Sequence, residues 1–129
     1  MSLANAIDGK LFTYISPTIN FKTVGNTTVF TTQFGLTFVC LQLAIICDAA
    51  SAANGDSTVN LGTNSAAFDN WVSGFLTSIQ VANTFTSVTN GAAPAAVFAA
   101  STAVVLRVTG VDSGTSITGR AAVTGFYLQ

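Results

Sequence analysis

The apolar residues of this chain recur at every second position over most of its length, as they do in half-buried β-strands. Turn signals such as Gly25-Asn26 and Asn90-Gly91 separate these segments, and Gly25-Asn26 predicts a hairpin between strands 18–24 and 27–34. The pattern predicts strands at 10–15, 18–24, 27–34, 36–47, 58–62, 75–82, 103–111 and 117–128, and a Thr-rich piece that runs to Val88. We therefore predict an all-β fold, an antiparallel, jelly-roll-like β-sandwich of about 8–10 short strands.

The clearest predicted element is a C-terminal β-hairpin, in which a turn at Asp112 joins strand 103–111 to strand 117–128. Arg107 and Arg120 would then be near neighbours on adjacent strands, and they would repel each other unless a carboxylate lay between them. Two interpretations stay open: solvated charges on an outer face, or ion pairs between subunits. The residues of such intersubunit ion pairs would be Arg107, Arg120, Asp69 and Asp112.

The segment 36–47 is apolar at both odd and even positions, which predicts a central strand whose second face is also covered, a neighbouring subunit being one candidate cover. Cys40 and Cys47 lie seven positions apart in it. In a straight strand this separation places them on opposite faces, about 23 Å apart, so they cannot pair. We interpret both as small buried hydrophobic residues of a protein made in a reducing cytoplasm.

The chain is predicted to form one domain at 10–129, preceded by an N-terminal arm at 1–9 that lacks strand alternation. The Ala-rich segment 92–103 is either a short helix that begins at Pro94 or an extended loop. The N-terminus has neither the basic start nor the apolar core of a signal peptide. The most apolar run, Leu36–Ile46, is too short to cross a bilayer as a helix, so no membrane association is predicted.

The composition excludes several classes of function. Only 7% of the residues are charged, against about 25% in ordinary globular proteins. The chain has no His and no Glu, so it cannot build a His-based triad, a His–metal site or a Glu general acid. Four basic residues and a net charge of −1 argue against nucleic-acid binding. So few charges favour a subunit that is covered in an assembly over the alternative, a secreted β-domain with a neutral coat.

The five Asp residues are the remaining candidates for acid–base or metal chemistry, and four of them lie in or beside predicted turns. Asp in a turn ordinarily hydrogen-bonds the local backbone. The alternative is a calcium site built from Asp48, Asn54 and Asp56, because hard oxygen ligands from one loop suit that ion. We predict no catalytic residue, no cofactor and no enzyme activity, and leave the calcium site open.

Phe68 and Trp71 lie in the long connection between two predicted strands. An exposed Trp–Phe pair would be a surface anchor, for example a platform on which a sugar stacks, whereas a buried pair would hold the loop onto the core. Both alternatives stay open at this point.

The run from Leu106 to Val111 together with Ser116–Leu128 resembles the closing hairpin of small β-sandwich virion proteins of phages, of the capsid decoration (cement) or head-fibre type. The segment Thr58–Asn64, followed by Phe68–Trp71, is similar to the same group. The resemblance implies a protein without catalytic residues that sits on the capsid lattice, often as a homotrimer, and reinforces joints between subunits of the major capsid protein.

We therefore expect a structural virion protein, a capsid decoration protein of a tailed phage, which is made in the host cytoplasm and becomes part of the virion. Its expected partners are copies of itself and the major capsid protein. The alternative function is a host-glycan-binding tip domain of a phage fibre, or a lectin-like module, in which Phe68 and Trp71 would be exposed. A pilus or surface-layer subunit is a further structural option.

Overall fold

The computed structural model describes residues 10–50, 57–77, 84–89, 97–111 and 117–129. Ten strands account for most of these residues. Their bounds are β1 Leu11–Ile15, β2 Ile19–Asn20, β3 Gly25–Thr31, β4 Thr37–Ala50, β5 Ser57–Gly62, β6 Val72–Leu76, β7 Thr84–Thr89, β8 Val97–Phe98, β9 Ala103–Val111 and β10 Ile117–Leu128.

The strands form two antiparallel sheets that pack face to face. Sheet A has the order β1-β10-β4-β7, with β2 also paired to β10 and β8 also paired to β4. Sheet B has the order β3-β9-β5-β6. The two-residue strands β2 and β8 apart, eight main strands remain, and they pair in a nested order. β1 pairs with β10, β3 with β9, β4 with β7 and β5 with β6. This nested pairing is that of one long hairpin folded over on itself, and the predicted all-β antiparallel sandwich is confirmed.

Both predicted hairpins are wrong. β9 and β10 are consecutive in the chain but belong to different sheets, where β9 pairs with β3 and β5 and β10 pairs with β1 and β4. Likewise, β2 pairs with β10 in sheet A, whereas β3 begins sheet B. A strand with one apolar face can be placed in either sheet, so alternation alone does not indicate which strand it joins.

The core lies between the two sheets and is rich in aromatic side chains. The Tyr14 ring on β1 stacks on the Phe30 ring on β3, with their centroids 4.0 Å apart, and so joins the edges of sheets A and B. Phe38 and Tyr127 complete this end of the core in edge-to-face geometry, 4.9 Å apart. Such pairs contribute about 0.5–1.5 kcal/mol each beyond the area that they bury.

Strand β4 is central in sheet A, as predicted, and its bulges explain its apolar pattern. Leu41 is skipped between the pairs Gln42–Thr124 and Cys40–Gly125, so one extra residue enters β4 at that point. Because of this extra residue, the positions that face the core change from even to odd numbers along β4. Cys40 and Cys47 consequently both face the core with no exposed surface, and the predicted placement on opposite faces is wrong. Both are free cysteines.

Within the predicted helix or loop at 92–103, residues 97–98 form β8, which pairs with β4. Residues 92–96, the proposed arm at 1–9 and the turn at Asp112 lie outside the described residues.

Candidate functional site

The outward side of sheet A carries a row of apolar side chains that crosses four strands. Leu11 on β1 pairs with Phe126 on β10, Phe126 pairs with Val39 on β4, and Val39 pairs with Val97 on β8. Directly paired residues point to the same side of a sheet. Because Leu11 is 68% and Val97 56% exposed, the row is open at both ends.

A second apolar row runs parallel to the first and consists of Ile15, Ala122 and Ala44. Ile15 is exposed, and Ala44 is partly buried. A polar row of Thr13, Thr124 and Gln42 separates the two. We call this surface the outer sheet face; it consists of Leu11, Thr13, Ile15, Val39, Gln42, Ala44, Ile46, Val97, Ala122, Thr124 and Phe126.

The outer sheet face ends at an ion pair. Asp48 is the second bulged residue of β4, skipped between Cys47–Gly119 and Ala49–Thr118. The Arg120 side chain donates from Nε to Asp48 Oδ2 at 2.9 Å and from Nη2 to Asp48 Oδ1 at 2.8 Å. These hydrogen bonds, together with the charge of Arg120, lower the pKa of the Asp48 carboxyl. The two charges are opposite, so the pair adds no net charge to this surface.

The two arginines are not neighbours, contrary to the prediction. Arg107 lies on β9 of sheet B and Arg120 on β10 of sheet A, and each side chain points away from the core. Arg107 Nη1 donates to the carbonyl oxygen of Ala66. Asp69 accepts a hydrogen bond from Asn64 Nδ2 at 2.6 Å on Oδ1. Asp112 lies outside the described residues, and ion pairs between subunits stay a prediction for this set.

The connection 63–70 is held by its own amide side chains. Asn64 Oδ1 accepts from the backbone N–H groups of Asp69 and Asn70, at 2.8 and 3.1 Å. Asn70 in turn joins Thr63 through both its oxygen and its nitrogen. Asp69 therefore has the local hydrogen-bonding role that is usual for Asp in a turn.

Trp71 is fully buried, so it is no surface anchor. Its ring packs edge-on against Phe98, with the centroids 6.3 Å apart, and its Nε1 finds no hydrogen-bond partner among the described residues. Phe68 is half-buried at a positive φ of 50°. Trp71 thus follows the second alternative, a buried anchor for the loop, whereas Phe68 is not part of the core.

The turn between β3 and β4 presents one aromatic side chain to solvent. Phe34 is 92% exposed and precedes Gly35, whose φ is +74°. The backbone around it is fixed: Gln33 N donates to Tyr127 Oη at 3.2 Å, and Thr32 Oγ1 donates to the carbonyl oxygen of Ala99 at 2.6 Å. We call residues 32–36 the tip turn. Its Phe was not singled out from the sequence, although an aromatic residue beside a turn Gly is a signal of this kind.

The described residues hold no cluster of metal-ligating side chains. Both carboxylate oxygens of Asp48 are engaged by Arg120, and Asn54 and Asp56 lie outside the described ranges, so the calcium site gains no support. A cleft of about 240 Å³ is lined by residues 18–20 and 23–27 together with Val108, none of which titrates near neutral pH. In the same ranges, no helix has the length and apolar character needed to span a membrane.

The fold, rather than the sequence, links this chain to known proteins. No family model and no curated protein matches it. A chain of the cyanophage Pam1 capsid asymmetric unit superposes with a TM-score of 0.58 at 17% identity, over 95% of this chain and 87% of that one. A chain from the acidic stable capsid structure of Helicobacter pylori bacteriophage KHP30 gives a TM-score of 0.56 at 12% identity, over 93% and 90%. At these identities the likeness shows a shared fold.

Proposed function

We propose that this chain is a structural protein of a phage particle and, more specifically, a capsid decoration or cement protein. The observation that carries the proposal is the shared fold, over nearly the whole chain, with chains from two phage capsid structures. The sequence resemblance of the C-terminal and Thr58–Trp71 segments to small virion proteins points the same way, although β9 and β10 do not form the closing hairpin of that comparison. It further suggests a homotrimer that contacts the major capsid protein of a tailed phage.

The surface of the molecule suits this role. In the described residues, sheet A carries five exposed large apolar side chains, namely Leu11, Ile15, Leu41, Val97 and Leu128. Apolar surface that a neighbouring subunit covers contributes about 25 cal/mol per Å², before the cost of association. A cement protein of this kind acts mechanically: it fills joints between capsid subunits and raises the energy needed to separate them. It needs no catalytic residue, cofactor, nucleic acid or membrane.

The test is co-purification followed by reconstitution. Particles from cells that make this chain are banded by density, and the chain is expected in the particle band at a fixed ratio to the major capsid protein. Particles stripped of the chain should release their genome at a lower temperature, and adding the purified chain back should restore the original temperature. If the chain stays at the top of the gradient while complete particles band without it, the proposal is wrong.

The second function considered, recognition of host glycans by a fibre tip or a lectin-like module, loses its main support. Its platform required an exposed Trp71, and that ring is buried. The mass of the purified chain tests the trimer separately: light scattering should give a multiple of three chain masses of 13.2 kDa each.

A further inference from the structure

Among the described residues, one edge of strand β1 has backbone groups that pair with no other strand. Ser16 N donates to the carbonyl oxygen of Ala121 at 2.8 Å. This bond shows which residues of β1 form hydrogen-bonded pairs with β10, because such pairs alternate with non-hydrogen-bonded ones. Hydrogen-bonded pairs therefore occur at Tyr14–Val123 and Phe12–Gly125. The backbone N–H and C=O groups of the residues between them point away from β10; these are Leu11, Thr13 and Ile15. Within the described part of the chain, β1 has no second partner strand.

Between Leu11 and Ile15 this edge carries no charge, proline or bulge; Lys10 precedes the strand and Pro17 follows it by two residues. Edge strands are usually protected by a charge, a proline or a bulge. β1 has the sequence LFTYI and pairs with residues 122–126 of β10 without a register shift. By contrast β3, the edge strand of sheet B on the same side, carries a bulge at Val29. The residues of β1 favour the extended conformation, so its free edge can pair with another strand.

The sequence of β1 is also self-complementary. Thr13 lies at its centre, flanked by the aromatic residues Phe12 and Tyr14 and then by the aliphatic residues Leu11 and Ile15. We propose that β1 pairs antiparallel with β1 of a second copy of this chain, about a two-fold axis beside Thr13. A two-fold contact requires such a pattern, because each surface meets its own image.

The proposed register satisfies every free group of this edge. Thr13 faces Thr13 of the second copy and exchanges two hydrogen bonds with it, because its N–H and C=O point outward. Leu11 faces Ile15 of the second copy at each end and contributes two more bonds there. The two exposed aliphatic side chains then cover one another, and sheet A continues from one copy into the next with its outer sheet face unbroken.

The contact does not depend on the virion proposal, since it follows from β1 alone. It is compatible with a trimer, because a two-fold contact can join two trimers. A positive cross-linking result with no capsid association would support the contact and overturn only the cement role.

Cross-linking tests the contact and its register. In a hydrogen-bonded antiparallel pair the Cα atoms are about 5.5 Å apart, within the range that a disulfide spans. The Thr13→Cys variant, oxidised with copper phenanthroline at micromolar concentration, should give a covalent dimer on a non-reducing gel. Leu11→Cys is the matched control: the two Leu11 positions are separated by about 13 Å along the strands and should not link. Native Cys40 and Cys47 are buried and should stay unreacted.

Mass measurements give an independent result. Thr13→Pro removes an N–H that β10 does not use, so it should halve the mass of the wild-type assembly in light scattering. Thr13→Val equally loses the hydroxyl bond to Thr124 Oγ1, keeps the N–H and should leave the mass unchanged. The proposal is overturned if the Thr13→Cys and Leu11→Cys variants link equally, if neither links, or if wild type is a monomer at every concentration. The cross-linking result stands even where Thr13→Pro does not fold.

Discussion

The hydroxyl groups of Tyr14 and Tyr127 lie 2.7 Å apart and join the first and last main strands of the sandwich. Tyr127 has no exposed surface, and its hydroxyl also accepts the backbone N–H of Gln33 at 3.2 Å. Burial is the main cause that raises the pKa of Tyr127, so the group stays neutral throughout the physiological range. One hydroxyl thus fixes β1, β10 and the tip turn relative to one another.

Tyr127→Phe should therefore destabilise the protein more than Tyr14→Phe. The first substitution removes the acceptor of Gln33 N and the partner of the Tyr14 hydroxyl together, for a loss of about 1–3 kcal/mol. The second removes one hydrogen bond, worth about 0.5–1.5 kcal/mol. Urea unfolding followed by circular dichroism measures both free energies. Equal losses would show that the bond to Gln33 contributes nothing.

The ion pair of Asp48 and Arg120 predicts how stability depends on pH. The pKa of Asp48 is lower in the folded protein than in the unfolded chain, so the pair stabilises the fold above the ordinary Asp pKa of about 3.9. This contribution is lost as pH falls through the lowered pKa of the folded state. Without His or Glu the chain has no side chain with an ordinary pKa between about 5 and 8, so stability should be flat there.

Asp48→Asn is the matched variant for this prediction. It should be less stable than wild type at neutral pH, and the two unfolding free energies should converge as the pH falls through the lowered pKa of Asp48 and its carboxyl becomes protonated. Urea unfolding at a series of pH values measures the difference. A difference that persists undiminished at the lowest pH would mean that the pair does not stabilise through charge.

Gly125 is predicted to be essential for the pairing of β4 with β10. A Cβ at this position would overlap the carbonyl oxygen of Val39 and lie 2.6 Å from the Phe38 ring. Since backbone atoms cannot move aside without opening the ladder, Gly125→Ala should cost about 3 kcal/mol or more, the size of an overpacked core. Gly110→Ala on β9 is the control, because its Cβ would meet only Thr58 at 3.6 Å. The unfolding midpoints in urea should separate the two variants clearly.

The period-2 pattern was sufficient to predict the all-β class and the central place of β4. Both follow from local alternation and from the apolar character of a strand covered on two sides. This pattern could not predict that β9 pairs with β3 and β10 with β1. These contacts join distant parts of the chain, and an alternating strand fits into either sheet.

The placement of two pairs of side chains depended on backbone detail. The bulge at Leu41 turns Cys40 and Cys47 to the same side, and a bulge leaves little trace in a strand whose residues are all apolar. The association of Asp48 with Arg120 likewise needs the second bulge and the long-range β4–β10 register. Trp71 could be assigned to the core only once the path of its loop was known.

Trp71 provides a spectroscopic prediction, since it is the chain's single Trp. A ring without solvent contact, whose indole N–H has no hydrogen-bond partner among the described residues, should emit at short wavelength and resist quenching by acrylamide. Unfolding in urea should shift the emission to the red and increase quenching several-fold. Addition of mono- and oligosaccharides should leave the native spectrum unchanged. Strong quenching of the native protein, or a saturable response to a sugar, would contradict the burial of this ring.

Phe34 on the tip turn should contribute to assembly and not to stability. Because its side chain is 92% exposed, Phe34→Ser is expected to change the free energy of unfolding by no more than about 0.5 kcal/mol, as for other surface positions. A rigid, exposed aromatic side chain is a typical anchor of a protein interface, where its truncation costs about 2 kcal/mol or more of binding. Retention on stripped particles should therefore fall by at least tenfold. Val24→Ser, at a 54% exposed position between β2 and β3, is the control and should bind as wild type does. Equal retention of the two variants would show that the tip turn lies outside the interface.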